Sequence, residues 1–134
     1  MIAPRPNRYR TAWAGDLRAG DVGSEVRVAG WVHRRRDHGG LIFIDLRDRS
    51  GLLQLVFHPE DAADAHSAAH SLRAEDVISV GGPLVPREEA NVNPNMPTGE
   101  IELSVRDLDK LADAETPPFQ VDEEGAVDEL GGGG

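Results

Sequence analysis

The reading turns on Leu41-Ile42-Phe43-Ile44-Asp45-Leu46-Arg47, Asp48-Arg49-Ser50-Gly51, Leu52-Leu53-Gln54-Leu55-Val56-Phe57. Two apolar-rich runs flank a cluster of turn formers, the pattern of two antiparallel strands joined by a tight turn. Side chains alternate across a strand, so Ile42, Ile44 and Leu46 share one face and Leu41, Phe43, Asp45 and Arg47 the other. Leu53, Leu55 and Phe57 point with the aliphatic set, which leaves Gln54 and Val56 outward. If the aliphatic rows fill an interior, Phe43 and Gln54 project together from its outside on neighbouring strands.

Working outward, Glu25 to Arg34 alternates with Val26, Val28 and Val32 on one face and reads as a preceding strand. Asp37-His38-Gly39-Gly40 turns it into Leu41. Pro59 opens a helical stretch of about fifteen residues ending near Arg73, with Ala62, Ala65, Ala69 and Leu72 forming a thin small-residue face. Val77-Ile78-Ser79-Val80 resumes strand, and Pro83 and Pro86 mark an edge or strand end. Arg87 to Thr98, with three Asn and two Pro, reads as a loop. Glu100 to Val105 alternates as the last strand, which Leu108 and Leu111 extend after a break. Five short strands with one helix between the third and fourth match an all-β OB-fold, a Greek-key barrel. It is expected over residues 1–113, with an acidic Pro/Gly linker over residues 114–134.

The chain has 134 residues, a length suited to one domain, and a hydrophobic fraction of 39% that can fill a core. Zero Cys excludes disulfides, thiol nucleophiles and cysteine zinc sites. No apolar run is long enough to span a bilayer, and Met1 to Arg10 lacks the apolar segment of a secretory signal, so a cytoplasmic location is expected. The net charge of −10 hides an asymmetry. Residues 1–57 carry ten Arg against six acids, whereas residues 58–134 carry four basic residues against eighteen acids. A polyanion can therefore dock on the first part while the second repels it.

OB barrels bind oligonucleotides on the outer face of strands two and three and in the flanking loops. An outward Phe43 beside Gln54 and near Arg34-Arg35-Arg36 suits that task. A base stacks on the ring, and an amide or guanidinium reads its edge. The alternative for Phe43 is a second small core against the helix or a partner domain. The arginine triplet is either a solvated strand end or a phosphate contact, with Arg34 and Arg35 the phosphate candidates. His38 is either a plain turn residue or a loop contact to a nucleotide. His66 and His70 stand four apart, but no third ligand accompanies them, and a solvated helix face is the better reading than a metal site. No glycine-rich phosphate cradle and no Ser-His-Asp constellation is present, so the chain does not read as catalytic.

Gly30-Trp31-Val32-His33-Arg34-Arg35-Arg36-Asp37-His38-Gly39-Gly40-Leu41-Ile42-Phe43-Ile44-Asp45-Leu46-Arg47-Asp48 closely resembles the N-terminal domain of bacterial aspartyl-tRNA synthetases. Gly51 to Phe57, Leu72-Arg73-Ala74-Glu75, Asn91-Val92-Asn93-Pro94, Thr98 to Glu102 and Pro117-Pro118-Phe119 continue the likeness. The resemblance implies an OB-fold that binds a tRNA anticodon stem-loop. It further implies that Phe43 stacks on the central anticodon base, that Gln54 reads an anticodon base, and that Arg36, Arg87, Asn91 and Glu102 line the pocket. His38 and Ala90 are similar to the subgroup that accepts both tRNA(Asp) and tRNA(Asn). In that family ATP and Mg²⁺ serve a later class II catalytic domain, which nothing after Phe119 resembles. The resemblance therefore implies an anticodon-binding module without cofactors of its own and inactive alone. Homodimerisation is expected of the full-length enzyme rather than of this piece. A free-standing OB protein that binds single strands without anticodon preference is the runner-up, and a protein-interaction module is the third reading.

Overall fold

A computed structural model describes residues 10–113, so the linker expected at 114–134 lies outside the described residues. Six strands and one helix follow in the order β1 (Glu25–His38), β2 (Leu41–Asp48), β3 (Gly51–Phe57), α1 (Ala63–Ala69), β4 (Val77–Pro86), β5 (Ile101–Ser104) and β6 (Asp107–Ala112). The neighbour order is β1-β2-β3-β5-β4-β6, and a further β1–β4 pairing closes the first five into a barrel. β3 and β5 pair in parallel, and the other ladders are antiparallel. This is the five-stranded OB architecture with its helix between the third and fourth strands. β5 and β6 lie along one edge of β4, opposite Leu84–Pro86 and Val77–Gly81 respectively. They are one strand interrupted at Val105–Arg106, where Val105 N–H donates to Val56 and Arg106 N–H to Gly81. The extension through Leu108 is thus present, and the break is where the chain serves two partners.

Register decides what each strand buries. Ile42, Ile44, Leu46, Leu53, Leu55 and Phe57 all lie in one core with Val28, Val32, Ile78 and Leu103. Phe43, although only 8% exposed, is outside that cluster. β1 does two jobs. Glu25 to Trp31 pairs with β4, and Trp31 to His38 pairs with β2. Between Val32 and Arg34 the β1–β2 register slips by one, so that His33 is an extra residue and Arg34 faces Asp45. A bulge of this kind reverses the alternation beyond it. Arg34, Arg36 and His38 therefore stand opposite Asp45, Phe43 and Leu41, while Arg35 and Asp37 stand opposite Ile44 and Ile42.

The helix is shorter than the alanine spacing predicts. Residues from Pro59 form a turn, and the α-helix covers only Ala63–Ala69. Ala65, Ala69 and Leu72 still pack on the core, and small side chains bring the helix close to the barrel at the cost of buried area per turn. The loop from Arg87 to Thr98 contains a 3-10 turn, Glu89–Asn91, and further turns after Asn93. Among the described residues no helix is long and apolar enough to cross a membrane.

Candidate nucleic-acid interface

The outer face of β2 and β3 forms one wall of a cleft of about 810 Å³, within the range of ligand sites. The β1–β2 hairpin supplies Arg34, Arg36, Asp37 and His38, β2 supplies Leu41, Phe43 and Asp45, and β3 supplies Gln54. The segment after β4 closes the other side with Arg87, Glu88, Ala90, Asn91, Asn93 and Met96. Arg36, Phe43, Gln54, Arg87, Asn91, His38, Ala90 and Arg34 are therefore brought together as expected. Glu102 lies beneath them, reached through Gln54. Arg35 is not among them. Its guanidinium makes two hydrogen bonds to Asp37, at 3.0 and 2.9 Å, and donates to the carbonyls of His70 and Leu72.

A chain of polar contacts links four strands along the cleft floor. Arg36 Nη2 donates to Gln54 Oε1 at 3.0 Å and reaches Asp45 Oδ1 at 3.4 Å. Gln54 Nε2 then donates to Glu102 Oε1 at 2.8 Å. These partners fix the amide: its oxygen meets the guanidinium and its nitrogen the carboxylate. One amide hydrogen and one oxygen lone pair remain for a ligand. The guanidinium carbon of Arg36 also stands 5.6 Å from the Phe43 ring centroid, within cation–π range.

Burial tunes the charges. Gln54 is 3% exposed, and Glu102 and Arg87 are 8% exposed. Burial pushes the Glu102 carboxyl above its ordinary value, and the Gln54 hydrogen bond and the Arg87 charge offset this in part. Burial likewise lowers Arg87, against the attraction of Glu102. Arg87 also has a structural task. Its Nε donates to the Ile101 carbonyl at 2.8 Å and its Nη1 to the Asn91 carbonyl at 3.1 Å, which ties the far wall of the cleft to β5. The arrangement offers a ring for stacking, a desolvated carboxylate and amide for reading a base edge, and exposed arginines for phosphate.

His66 and His70 do not converge on a metal position. Their rings meet edge to face with centroids 5.0 Å apart, and His66 Nε2 lies 2.8 Å from the Gly40 carbonyl oxygen. Among the described residues no cluster of three His, Asp or Glu could hold an ion.

Residues 26–111 match the family model described as an OB-fold nucleic acid binding domain of the tRNA anticodon type. The chain belongs to this family. The chain is also 58% identical over 130 residues to the aspartate–tRNA(Asp/Asn) ligase of Rubrobacter xylanophilus, covering 97% of this chain and 22% of that protein. It is 58% identical over 121 residues to the corresponding ligase of Salinibacter ruber, covering 90% of this chain and 19% of that protein. The chain thus spans about a fifth of the length of the curated relatives it matches. Among solved structures it is similar to asparaginyl-tRNA synthetase from Pyrococcus horikoshii complexed with asparaginyl-adenylate, with a TM-score of 0.65 at 26% identity over 79% of this chain and 23% of that one. An OBody bound to hen egg-white lysozyme shares the fold, with a TM-score of 0.67 at 24% identity, covering 85% of this chain and 100% of that one.

Proposed function

We propose that this OB domain reads the anticodon loop for an aspartate–tRNA ligase that serves both tRNA(Asp) and tRNA(Asn). The observation that carries the reading is the joint placement of Phe43, Arg36 and Gln54 on one wall of the cleft, with Asn91 and Arg87 on the other. The high identity to ligases named for both tRNAs supports the family and the dual specificity. In this reading the Phe43 ring stacks on the central base, and Gln54 and Arg36 meet a base edge. Glu102 accepts a hydrogen bond from a base amino or imino group, and Arg34 neutralises a phosphate. His38 and Ala90 face each other's side of the same cleft and set tolerance at one anticodon position. Activation and transfer of aspartate, with ATP and Mg²⁺, belong to the part of such a ligase outside the match, and this domain contributes selection of the tRNA.

The test is a titration with anticodon stem-loops carrying GUC, GUU and a scrambled triplet. Tight binding of the first two, loss with the scrambled loop, and a fall of roughly 5–150-fold for Phe43→Ala are expected from the worth of one base–aromatic stack. Indifference to the triplet supports instead the unspecific single-strand binder. Binding that does not weaken with salt supports a protein-interaction module, because phosphate contacts release counterions.

A further inference from the structure

We infer that His66 of α1 is a positioning residue that, with Arg35, holds the tip of the β1–β2 hairpin and so sets the place of His38 in the cleft. The inference deepens the reading of the cleft as an anticodon site and rests on it. It starts from a weakness in the fold. β1 leaves β4 after Trp31, and from Val32 to His38 its only ladder is with β2. β2 is backed by β3 only as far as Ile42, so beyond that three-stranded sheet the tip rests on the single His38–Leu41 pair, and a two-stranded extension is marginal in water. Its tip, Gly39 and Gly40, has φ of +59° and +86°, and His38, Gly39 and Gly40 are all exposed. The β3 ladder does not reach this tip.

The helix does. His66 is half-buried on α1, and its Nε2 lies 2.8 Å from the Gly40 carbonyl oxygen. A carbonyl only accepts, so Nε2 carries the proton and donates. A second tie runs the opposite way. Arg35, turned off the cleft face by the bulge at His33, donates through Nη1 to the carbonyl of His70 at 2.7 Å and to that of Leu72 at 3.4 Å. A cation there also suits the C-terminal end of the helix. Asp37 completes the bracket by gripping the same guanidinium. The hairpin is thus pinned at its tip by a helix donor and along its stem by its own arginine. His70 stands edge-on to the His66 ring at a centroid distance of 5.0 Å.

The experiment uses the 134-residue chain and RNA stem-loops carrying GUC or GUU. His66→Leu keeps a helix-forming residue but removes the donor. His66→Gln sets an amide N–H near the position of Nε2, whereas His66→Asn sets one near Nδ1. The expected result is a loss of roughly 2–13-fold in affinity for His66→Leu, the worth of one hydrogen bond, together with a changed GUC-to-GUU ratio. Recovery is expected with His66→Gln but not with His66→Asn, and amide hydrogen exchange of the hairpin in the free protein should follow the same order. Unchanged hairpin exchange in His66→Leu, or no recovery with His66→Gln, overturns the inference. Phe43→Ala measured alongside separates the two levels. Binding that ignores Phe43 overturns the anticodon reading, with the exchange data still deciding the role of His66. Binding that needs Phe43 but ignores His66 overturns the positioning role alone.

Discussion

Replacing Gln54 with Met removes the middle of the polar chain while nearly keeping its volume. Arg36 is half-exposed and keeps Asp45, so the loss falls on Glu102, whose Oε1 accepts from Gln54 at 2.8 Å and which is 8% exposed. A hydrogen bond to a charged group contributes about 1.5–3 kcal/mol, and a buried acceptor without its donor keeps the full desolvation cost. At about 4 °C per kcal/mol for a domain of this size, the melting temperature should fall by roughly 6–12 °C on the alkaline side of the Glu102 titration. The sign of the pH dependence follows from the same bond. It favours the ionised carboxylate, so its contribution is fullest at high pH. Once the carboxyl is protonated only a neutral hydrogen bond is lost, worth about half as much. Thermal melts of Gln54→Met and the parent protein at about pH 4 and about pH 8 test this, since an ordinary Glu titrates near 4.3. Equal destabilisation at both pH values, or none at either, refutes the argument that a charge-assisted bond holds the cleft floor.

Glu102→Gln should behave in the opposite sense. Burial raises the Glu102 carboxyl in the folded state, so the contribution of this group to stability is fullest on the acid side and is lost as pH rises through that raised value; the variant, which cannot ionise, should gain on the parent with pH in thermal melts. Gly99→Ala puts a methyl 1.7 Å from the Asn93 carbonyl oxygen and 3.0 Å from that of Met96, both backbone, so the cleft wall must shift. A stability loss of about 1–3 kcal/mol in denaturant titrations and weakened stem-loop binding are expected together. Asp48→Ala should separate them. Asp48 accepts from the Ala14 amide at 2.7 Å and from the Ser50 amide and hydroxyl at 2.8 and 2.5 Å, at the far end of β2 from the hairpin tip. Its loss should cost about 2–4 kcal/mol in the same titrations and leave RNA affinity within a factor of about two.

How much of this could be read in the sequence depends on how local each feature is. Alternation through Leu41–Phe57 sorts interior from exterior correctly: Ile42, Ile44, Leu46, Leu53, Leu55 and Phe57 are all core residues, and Phe43 is outside the core cluster. The same rule leaves Val56 outward, yet it is 1% exposed, because β5 pairs alongside and the outer face is itself covered there. Alanine spacing marks a helix but not its length, since the ends depend on what receives the last carbonyls, here Arg35 from a strand 35 residues away for His70. The Gln54–Glu102 bond spans 48 residues, and no periodicity reports it. Arg87 was expected only as a pocket residue. Its grip on the Ile101 and Asn91 carbonyls exists only once two strands and a loop have met.

The additional residue at His33 has a consequence for how the chain could change over time. Losing that single position would leave the arm facing as it does, because Val32 already stands opposite Leu46 and Arg34 opposite Asp45. The ladder would close over the gap, and Arg34, Arg36 and His38 would keep the side of Asp45, Phe43 and Leu41. His33 is therefore slack between the barrel and the arm, whose facing is counted from the Gly39-Gly40 end. A one-codon deletion at His33 should be milder than one between Arg34 and His38, which would carry Arg34 to the opposite side.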